Sequence, residues 1–278
     1  MSGTLSLRLS PPLPEAIYWA VASTMAAAFV ITLAVAVFDT RTIDGAVSVW
    51  AKPMKFELAL SIHAATLALV MTALSDPTRS GAAMTIVAVV FLAACIVEMG
   101  YIIFQAAHGA HSHFNVSTPF HRFMWSMMAL AAIAIVGAAA AVGVAAAVDS
   151  GNRLAPALKW AIALGLIGGT LLTLYTAFTI GARMSPYVGA VPAHDARMAL
   201  TGWSLAGGDL RVSHFLATHM IQVLPLIGLA VAYVLPGRLG ILVIVVTTLG
   251  WSAMTLAEYA RALAGEPSPL ARTLERGL

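Results

Sequence analysis

Five ionisable residues lie inside long apolar stretches of the sequence: His63, Glu98, His214, His219 and Glu258. An ionised side chain at the centre of a bilayer costs about 2.5–3.5 kcal/mol on insertion scales, so these residues are candidates for binding or catalysis. In helices that rise about 1.5 Å per residue, His63, Glu98 and His219 would lie about 12–14 Å from the same membrane surface. We therefore predict one buried site, with Glu98 and His219 as its catalytic residues.

The helix that carries Glu98 continues a polar face toward that surface through Tyr101, Gln105 and His108, because this spacing repeats every helical turn. More histidines follow in the adjoining loop, where the spacing His-x2-His-x-His matches no established zinc motif. Loop and buried residues together could still bind a transition metal. The predicted metal ligands are His63, Glu98, His108, His111, His113 and His219.

A haem is the alternative cofactor, because two histidines at equal depth on different helices of a bundle could ligate its iron axially. We assign His63 and His214 to cofactor binding. Basic residues near the same surface could pair with the propionates, namely Lys55, Arg122, Arg183 and Arg211. His63, His219 and Glu98 also resemble the two-histidine, one-carboxylate set of non-haem iron. The predicted cofactor is therefore haem b or a transition metal: iron, zinc or copper.

These residues leave several functional classes open. The leading hypothesis is a haem- or metal-dependent membrane oxidoreductase acting on a small or lipophilic substrate. A proton-coupled small-solute transporter is the second, since Glu and His side chains inside a bundle also relay protons. A metal-dependent hydrolase with Glu98 as base, or an accessory or assembly subunit, are further alternatives. Each histidine could instead only hydrogen-bond between helices, and Lys52 and Arg122 could only anchor helix ends among headgroups.

The elements that must position these residues are membrane-spanning helices. Of the 278 residues, 60% are hydrophobic and 10% are charged, against about 25% charged residues in soluble domains. About twenty apolar residues suffice to cross the ~30 Å hydrocarbon core, so the lipid bilayer is the partner that this composition requires. We predict an all-α polytopic bundle of seven spans, at 17–38, 53–74, 82–107, 122–148, 156–180, 211–234 and 238–263.

The connections differ between the two ends of the bundle. The short turns of one end, side A, lie at 76–77, 149–151 and 236–237. The longer segments of the other end, side B, are 39–52, 108–121 and 181–210. Loops of this length are often lids or binding elements, so we expect the last two segments to cover the site.

Charge distribution predicts the orientation and argues against nucleic acid as a partner. Lys and Arg are scattered between the spans and do not form a continuous basic stripe. They are more frequent near side B, so the positive-inside rule predicts a cytoplasmic carboxyl terminus and an amino terminus outside. We predict one bundle domain, residues 1–263, followed by a solvated tail at 264–278.

Four motifs resemble an uncharacterised family of bacterial multispanning membrane proteins, and the resemblance covers most of the chain. The motifs are Trp50-Ala51-Lys52-Pro53-Met54-Lys55-Phe56, Glu98-x2-Tyr101-x3-Gln105, Ser112-His113-Phe114-Asn115 and Gly208-Asp209-Leu210-Arg211-x2-His214-Phe215-x3-His219. The resemblance implies a bacterial inner membrane as the location. It implies no particular activity.

Overall fold

The computed structural model describes residues 11–43, 47–235 and 237–277. Seven of its helices are long and apolar enough to cross a membrane, so the chain is an all-α, multi-pass membrane protein. These helices are α1 (Leu13–Phe38), α2 (Ala51–Thr72), α4 (Ala82–Ala107), α5 (Pro119–Val148), α6 (Pro156–Arg183), α7 (Leu210–Val234) and α8 (Arg238–Leu263). The shorter helices are α3 (Asp76–Arg79) and α9 (Pro269–Arg276). Four parts of the predicted organisation lie outside the described residues: 1–10 of the bundle domain, 44–46 of the side-B segment 39–52, Pro236 of the side-A turn and residue 278 of the tail.

Each predicted span lies on one of the seven long helices, and the differences are at the helix ends. Helix α1 begins earlier than the predicted span, at Leu13, with a proline in its first turn. Helix α5 begins at Pro119, as the pair Thr118-Pro119 predicts, because threonine suits an N-cap and proline the first helical position. Proline is favoured there because its fixed φ suits a helix and its missing N–H would have no helical acceptor. At the start of α5, the Thr118 hydroxyl accepts a hydrogen bond from the His121 backbone N–H at 3.1 Å, which caps the helix.

Glycines bring α6 and α7 into close contact. A Cβ atom on Gly169 would lie 2.7 Å from Ile221 Cγ1, and one on Gly165 would lie 2.9 Å from Leu224 Cβ. Small residues at such positions allow backbones in a membrane bundle to approach each other. Helix α5 packs between α4 and α6, α8 packs on α6 and α7, and α2 contacts both α4 and α7. The helices that carry the predicted site are therefore neighbours.

Side A is held together by hydrogen bonds to one carboxylate. Asp149, at the end of α5, accepts hydrogen bonds from the Ser75 backbone N–H and hydroxyl, both at 2.7 Å, and from the Gly151 N–H at 3.0 Å. Burial raises the pKa of Asp149, but these hydrogen bonds outweigh burial and hold the pKa below its ordinary value. Nearby, Arg79 pairs with Glu15 at 2.6 Å. These contacts tie the turn after α2 to α1 and to the turn between α5 and α6.

Asp149→Ala is expected to lower the free energy of unfolding by about 1–3 kcal/mol at pH 7, because it leaves partly buried donors without their acceptor. Since the pKa of Asp149 is lowered by folding, its stabilisation is complete above the unfolded pKa near 3.8 and is lost as pH falls further. Thermal unfolding in detergent measures the effect. Asp195→Ala, at an exposed carboxylate, is the matched control. Equal midpoints for the two variants at pH 7 would contradict this role of Asp149.

Side B is more structured than the sequence suggests. Strand β1 (Thr42–Ile43) pairs with β2 (Val47–Ser48), and β3 (Tyr187–Val188) pairs with β4 (Gly208–Asp209), both antiparallel. The predicted solvated tail contains helix α9, in which Ala271 is fully buried in a cluster with Trp203 and Met198. The Ser268 hydroxyl caps α9 by accepting a hydrogen bond from the Ala271 N–H at 3.1 Å. The small side chain of Ala271 thus allows this segment to dock on the 181–210 segment.

Candidate functional site

Glu98 lies in the half of α4 near side B, and only 2% of its surface is exposed. Its Oε1 atom is 3.5 Å from His113 Nε2. Its Oε2 atom is buried and has no hydrogen-bond partner among the described residues. A carboxyl group buried in this way requires a proton or a cation to offset its lost hydration. Glu98 thus faces the bundle interior with part of its hydrogen-bonding capacity unused.

His113 reaches Glu98 because the loop after α4 folds back over the bundle. The Gln105 side-chain amide, on α4, donates a hydrogen bond to the His111 carbonyl at 3.0 Å. The loop then turns at Phe114, a non-glycine residue with φ of 58°. Such a conformation is uncommon for a bulky side chain and persists only where surrounding contacts hold it. The His113 ring is held by edge contacts with Phe56 of α2 at 5.7 Å and Trp125 of α5 at 5.6 Å.

Lys52, near the start of α2, interacts electrostatically with both Glu98 and His113. Burial, together with Lys52, holds the pKa of His113 well below its ordinary value, so the imidazole is neutral at pH 7. The 3.5 Å contact therefore joins a neutral imidazole to a carboxyl group and is not a full ion pair. This arrangement suits proton exchange, because each group can both accept and donate a proton.

Acidification is expected to loosen the loop over Glu98. The pKa of His113 is lower in the closed loop than its ordinary value of about 6.5. Below about pH 6.5 the open loop therefore binds more protons than the closed loop, and the closed loop becomes less stable as pH falls. The opening of the loop is measured by hydrogen-exchange protection factors for residues 110–115 between pH 7.5 and 5. A protection factor is corrected for the pH dependence of the intrinsic exchange rate. His113→Gln should remove the pH dependence, and His111→Gln, at an exposed histidine, should retain it. The same pH dependence in both variants would contradict the assignment.

A small cleft connects this group to side B. Its volume is about 70 Å³, and Lys52, Ser112 and β2 contribute to its wall. The cleft is therefore large enough to hold water, since about 10–15 Å³ of such space suffices for one molecule. Ser112 is 4% exposed, and its hydroxyl lies 3.3 Å from His113 Nδ1. Polar atoms thus continue from the cleft through Ser112 and His113 to Glu98.

A second polar group lies where α2, α6 and α7 meet. His219 interacts electrostatically with His63 and with His214, and its side chain also interacts with Gln222. His214 Nδ1 is 2.9 Å from the Thr176 hydroxyl of α6. His63 Nε2 and Gln222 Oε1 are buried, and neither has a hydrogen-bond partner among the described residues. This group, which we call the histidine cluster (His63, His214, His219 and Gln222), therefore has an unused ring nitrogen and an unused carbonyl oxygen.

The remaining predicted metal ligands lie elsewhere. His108 and His111 are exposed, and His108 packs against Phe104 of its own helix with ring centroids 4.4 Å apart. Within the described parts of the chain, no three His, Cys, Asp or Glu side chains are arranged to hold a metal ion. The predicted partners of Glu98 were His63 and His219, but its histidine contact is His113. The rotation of α4 about its axis and the folding of the loop after it decide this pairing, and neither can be predicted from the sequence.

Two of the four predicted basic residues hold the 181–210 segment in place. Lys55 Nζ donates a hydrogen bond to the Thr201 carbonyl at 3.0 Å. Arg211 forms an ion pair with Asp209 at 2.6 Å and also donates to the Gly202 carbonyl at 2.7 Å. Both contacts fix the 181–210 segment against the bundle. The other two basic residues, Arg122 and Arg183, are exposed at helix ends.

Sequence reasoning missed two residues of interest. It treated Lys52 as an anchor in the headgroup region, although Lys52 is the basic neighbour of Glu98. It also passed over Glu57, which is fully buried and accepts a hydrogen bond from the Thr32 hydroxyl at 2.8 Å. The sequence feature that could have pointed to Glu57 is Thr32, which lies at a similar depth on the neighbouring span. Only the packing of α1 against α2 shows that the two side chains meet.

Comparison of the chain with protein-family models, with curated proteins and with solved structures gives no match.

Proposed function

We propose that this membrane protein is a proton-coupled carrier of a small solute, with Glu98 as the group that binds the coupled proton. The observation that carries the proposal is the buried Glu98 carboxyl, which has a neutral imidazole 3.5 Å from one oxygen and no described partner for the other. Glu and His side chains in the interior of a membrane bundle are typical of proton relays.

The surroundings of Glu98 support exchange of that proton with side B. The cleft beside Lys52 and Ser112 has room for water, and His113 lies between it and the carboxyl group. Lys52 is the basic side chain that interacts with Glu98. A basic neighbour can balance the charge that remains on a buried carboxyl group after its proton is released.

The histidine cluster is the proposed solute site. Its unused atoms, His63 Nε2 and Gln222 Oε1, could together offer a hydrogen-bond donor and an acceptor. A neutral solute with one acceptor and one donor, such as a small amide or polyol, matches this pair.

Side A would be the gate of this carrier. The Asp149 hydrogen bonds and the Arg79–Glu15 ion pair hold that end together, while the cleft at side B leads toward Glu98. Alternating access then requires that the side-A contacts break when proton and solute are both bound.

Purified protein in vesicles that contain a pH-sensitive dye tests the proposal. Addition of small amides and polyols under an inward proton gradient should acidify the lumen faster than in protein-free vesicles. Glu57→Gln alters a different buried acid, on α2, and should keep the wild-type rate of acidification. Identical acidification with and without protein, for every solute, would contradict the proposal.

Haem-dependent redox chemistry is the second candidate, and one observation favours it. His63 Nε2, an atom that can ligate haem iron, is buried without a described partner, and His219 of α7 interacts with this ring electrostatically. An absorption spectrum of the purified protein, together with metal analysis, tests this candidate. A Soret band that is lost in both His63→Ala and His219→Ala would favour the redox function over transport.

The cellular setting is also a proposal. The motifs of the sequence suggest a bacterial inner membrane, and the excess of Lys and Arg near side B suggests that side B is cytoplasmic. Reporter fusions at residues 5 and 275 should give signals in opposite compartments, with residue 275 inside.

A further inference from the structure

A basic cleft lies at side B, between the end of α8 and the docked helix α9. Its volume is about 400 Å³, and three arginines line it: Arg261, Arg272 and Arg276. Only one acid, Glu266, is among the lining residues. The cleft is separate from the residues assigned to proton and solute binding, so its role does not depend on the proposed function.

The chain between the two helices fixes the positions of these arginines. Helix α8 ends before Gly265, where a φ of 76° reverses the chain at a conformation that suits glycine. The Ser268 hydroxyl then caps α9, and the fully buried Ala271 anchors it to the 181–210 segment. Arg272 Nε also donates a hydrogen bond to the Leu205 carbonyl at 3.3 Å. The arginines of α9 thus project from a docked helix.

The positive charge of the cleft is only partly balanced. Glu266 pairs with Arg261 at 3.1 Å, which leaves Arg272 and Arg276 without an ion-pair partner in the described part of the chain. Three arginines and one glutamate among the lining residues give a net charge of +2. An arginine guanidinium binds phosphate oxygens in a two-pronged arrangement, and two guanidiniums one helical turn apart, neither in an ion pair, suit a single phosphate group.

We propose that this cleft binds a phosphate group, and that the phosphate belongs to the headgroup of an anionic lipid. Arg261 is in the last turn of the membrane-spanning α8, so the cleft lies at the height of the headgroups. Leucines on the same two helices are exposed, with 41% of Leu263 and 46% of Leu274 accessible. Helices that carry both basic and exposed apolar residues match a lipid, which offers a charged headgroup and an acyl chain.

Lipid titration of the delipidated full-length protein tests the proposal. The protein in a neutral detergent is titrated with phosphatidylglycerol, phosphatidylcholine or inorganic phosphate, and the thermal midpoint and the number of retained lipids are measured. Phosphatidylglycerol should raise the midpoint and remain bound. In the double variant Arg272→Gln, Arg276→Gln its apparent affinity should fall at least about tenfold, since each basic residue near a membrane surface contributes appreciably to anionic lipid binding.

Two further variants make the outcome specific. Arg153→Gln with Arg238→Gln removes the same charge from side A and should retain wild-type titration. Arg272→Lys with Arg276→Lys keeps the charge but loses two-pronged binding, and should give an intermediate affinity even if the glutamine variant fails to fold. If inorganic phosphate raised the thermal midpoint as much as phosphatidylglycerol, the cleft would be a phosphate site for a soluble ligand and not for a lipid. Equal responses to both lipids, or unchanged affinity in both the glutamine and the lysine variants, would overturn the proposal.

Discussion

Glu98→Gln should abolish solute-driven proton uptake into vesicles, reducing its rate roughly a hundredfold or more, to that of protein-free vesicles. Glutamine keeps the size of the side chain but cannot bind or release a proton near neutral pH. The fold should be retained, because the substitution places no uncompensated charge in the interior and its amide can still contact His113. The dye-loaded vesicles measure the rate, and the thermal midpoint in detergent checks the fold.

A hydrophobic carbodiimide provides an independent measurement at Glu98. These reagents modify protonated carboxyl groups in apolar surroundings, so a mass shift on the peptide that contains Glu98 should increase as pH falls. The modification should inhibit wild-type uptake, and Glu57→Gln should remain sensitive to it. Wild-type uptake by Glu98→Gln, or inhibition of that variant by the reagent, would remove Glu98 from the proposed mechanism.

Gly169→Ala should lower the stability of the bundle, because it adds a methyl group where α6 and α7 are in close contact. The added Cβ would lie 2.7 Å from Ile221 Cγ1 and 3.1 Å from the Ile221 backbone nitrogen, so α6 and α7 must separate. Overpacking of this kind costs about 1–3 kcal/mol, and a backbone neighbour favours the upper end of that range. Thermal unfolding in detergent and the monodisperse yield measure the change.

Gly181→Ala is the matched control on the same helix. No atom lies within 4 Å of a Cβ at this position, so alanine should stabilise α6 by up to about 1 kcal/mol through its higher helix propensity. A higher midpoint for Gly181→Ala and a lower one for Gly169→Ala would show that close α6–α7 packing, not helix propensity, decides the result. If Gly169→Ala also raised the midpoint, the two helices would be less tightly packed than the structure describes.

The sequence by itself determined the architecture. Seven apolar runs predict seven spanning helices, because the length and hydrophobicity needed to cross a bilayer are properties of a continuous segment. Burial of Glu98 could be predicted in the same way, since lipid offers no partner for a carboxyl group. The start of α1 was less well predicted, because a proline-led first turn extends the helix beyond the apolar run. The start of α5 follows from the sequence, since the pair Thr118-Pro119 is typical of an N-cap and a first helical position.

Only the tertiary structure decided which polar residues meet. Depth along a helix follows from residue number, and it predicted His63 and His219 as partners of Glu98. The rotation of each helix about its axis depends on packing with its neighbours, and it brings His63 and His219 into a separate cluster. His113 reaches Glu98 through a loop that reverses at Phe114, and a reversal of this kind is fixed by contacts with distant residues. The docking of α9 likewise depends on a surface formed by the 181–210 segment, which exists only after the bundle has assembled.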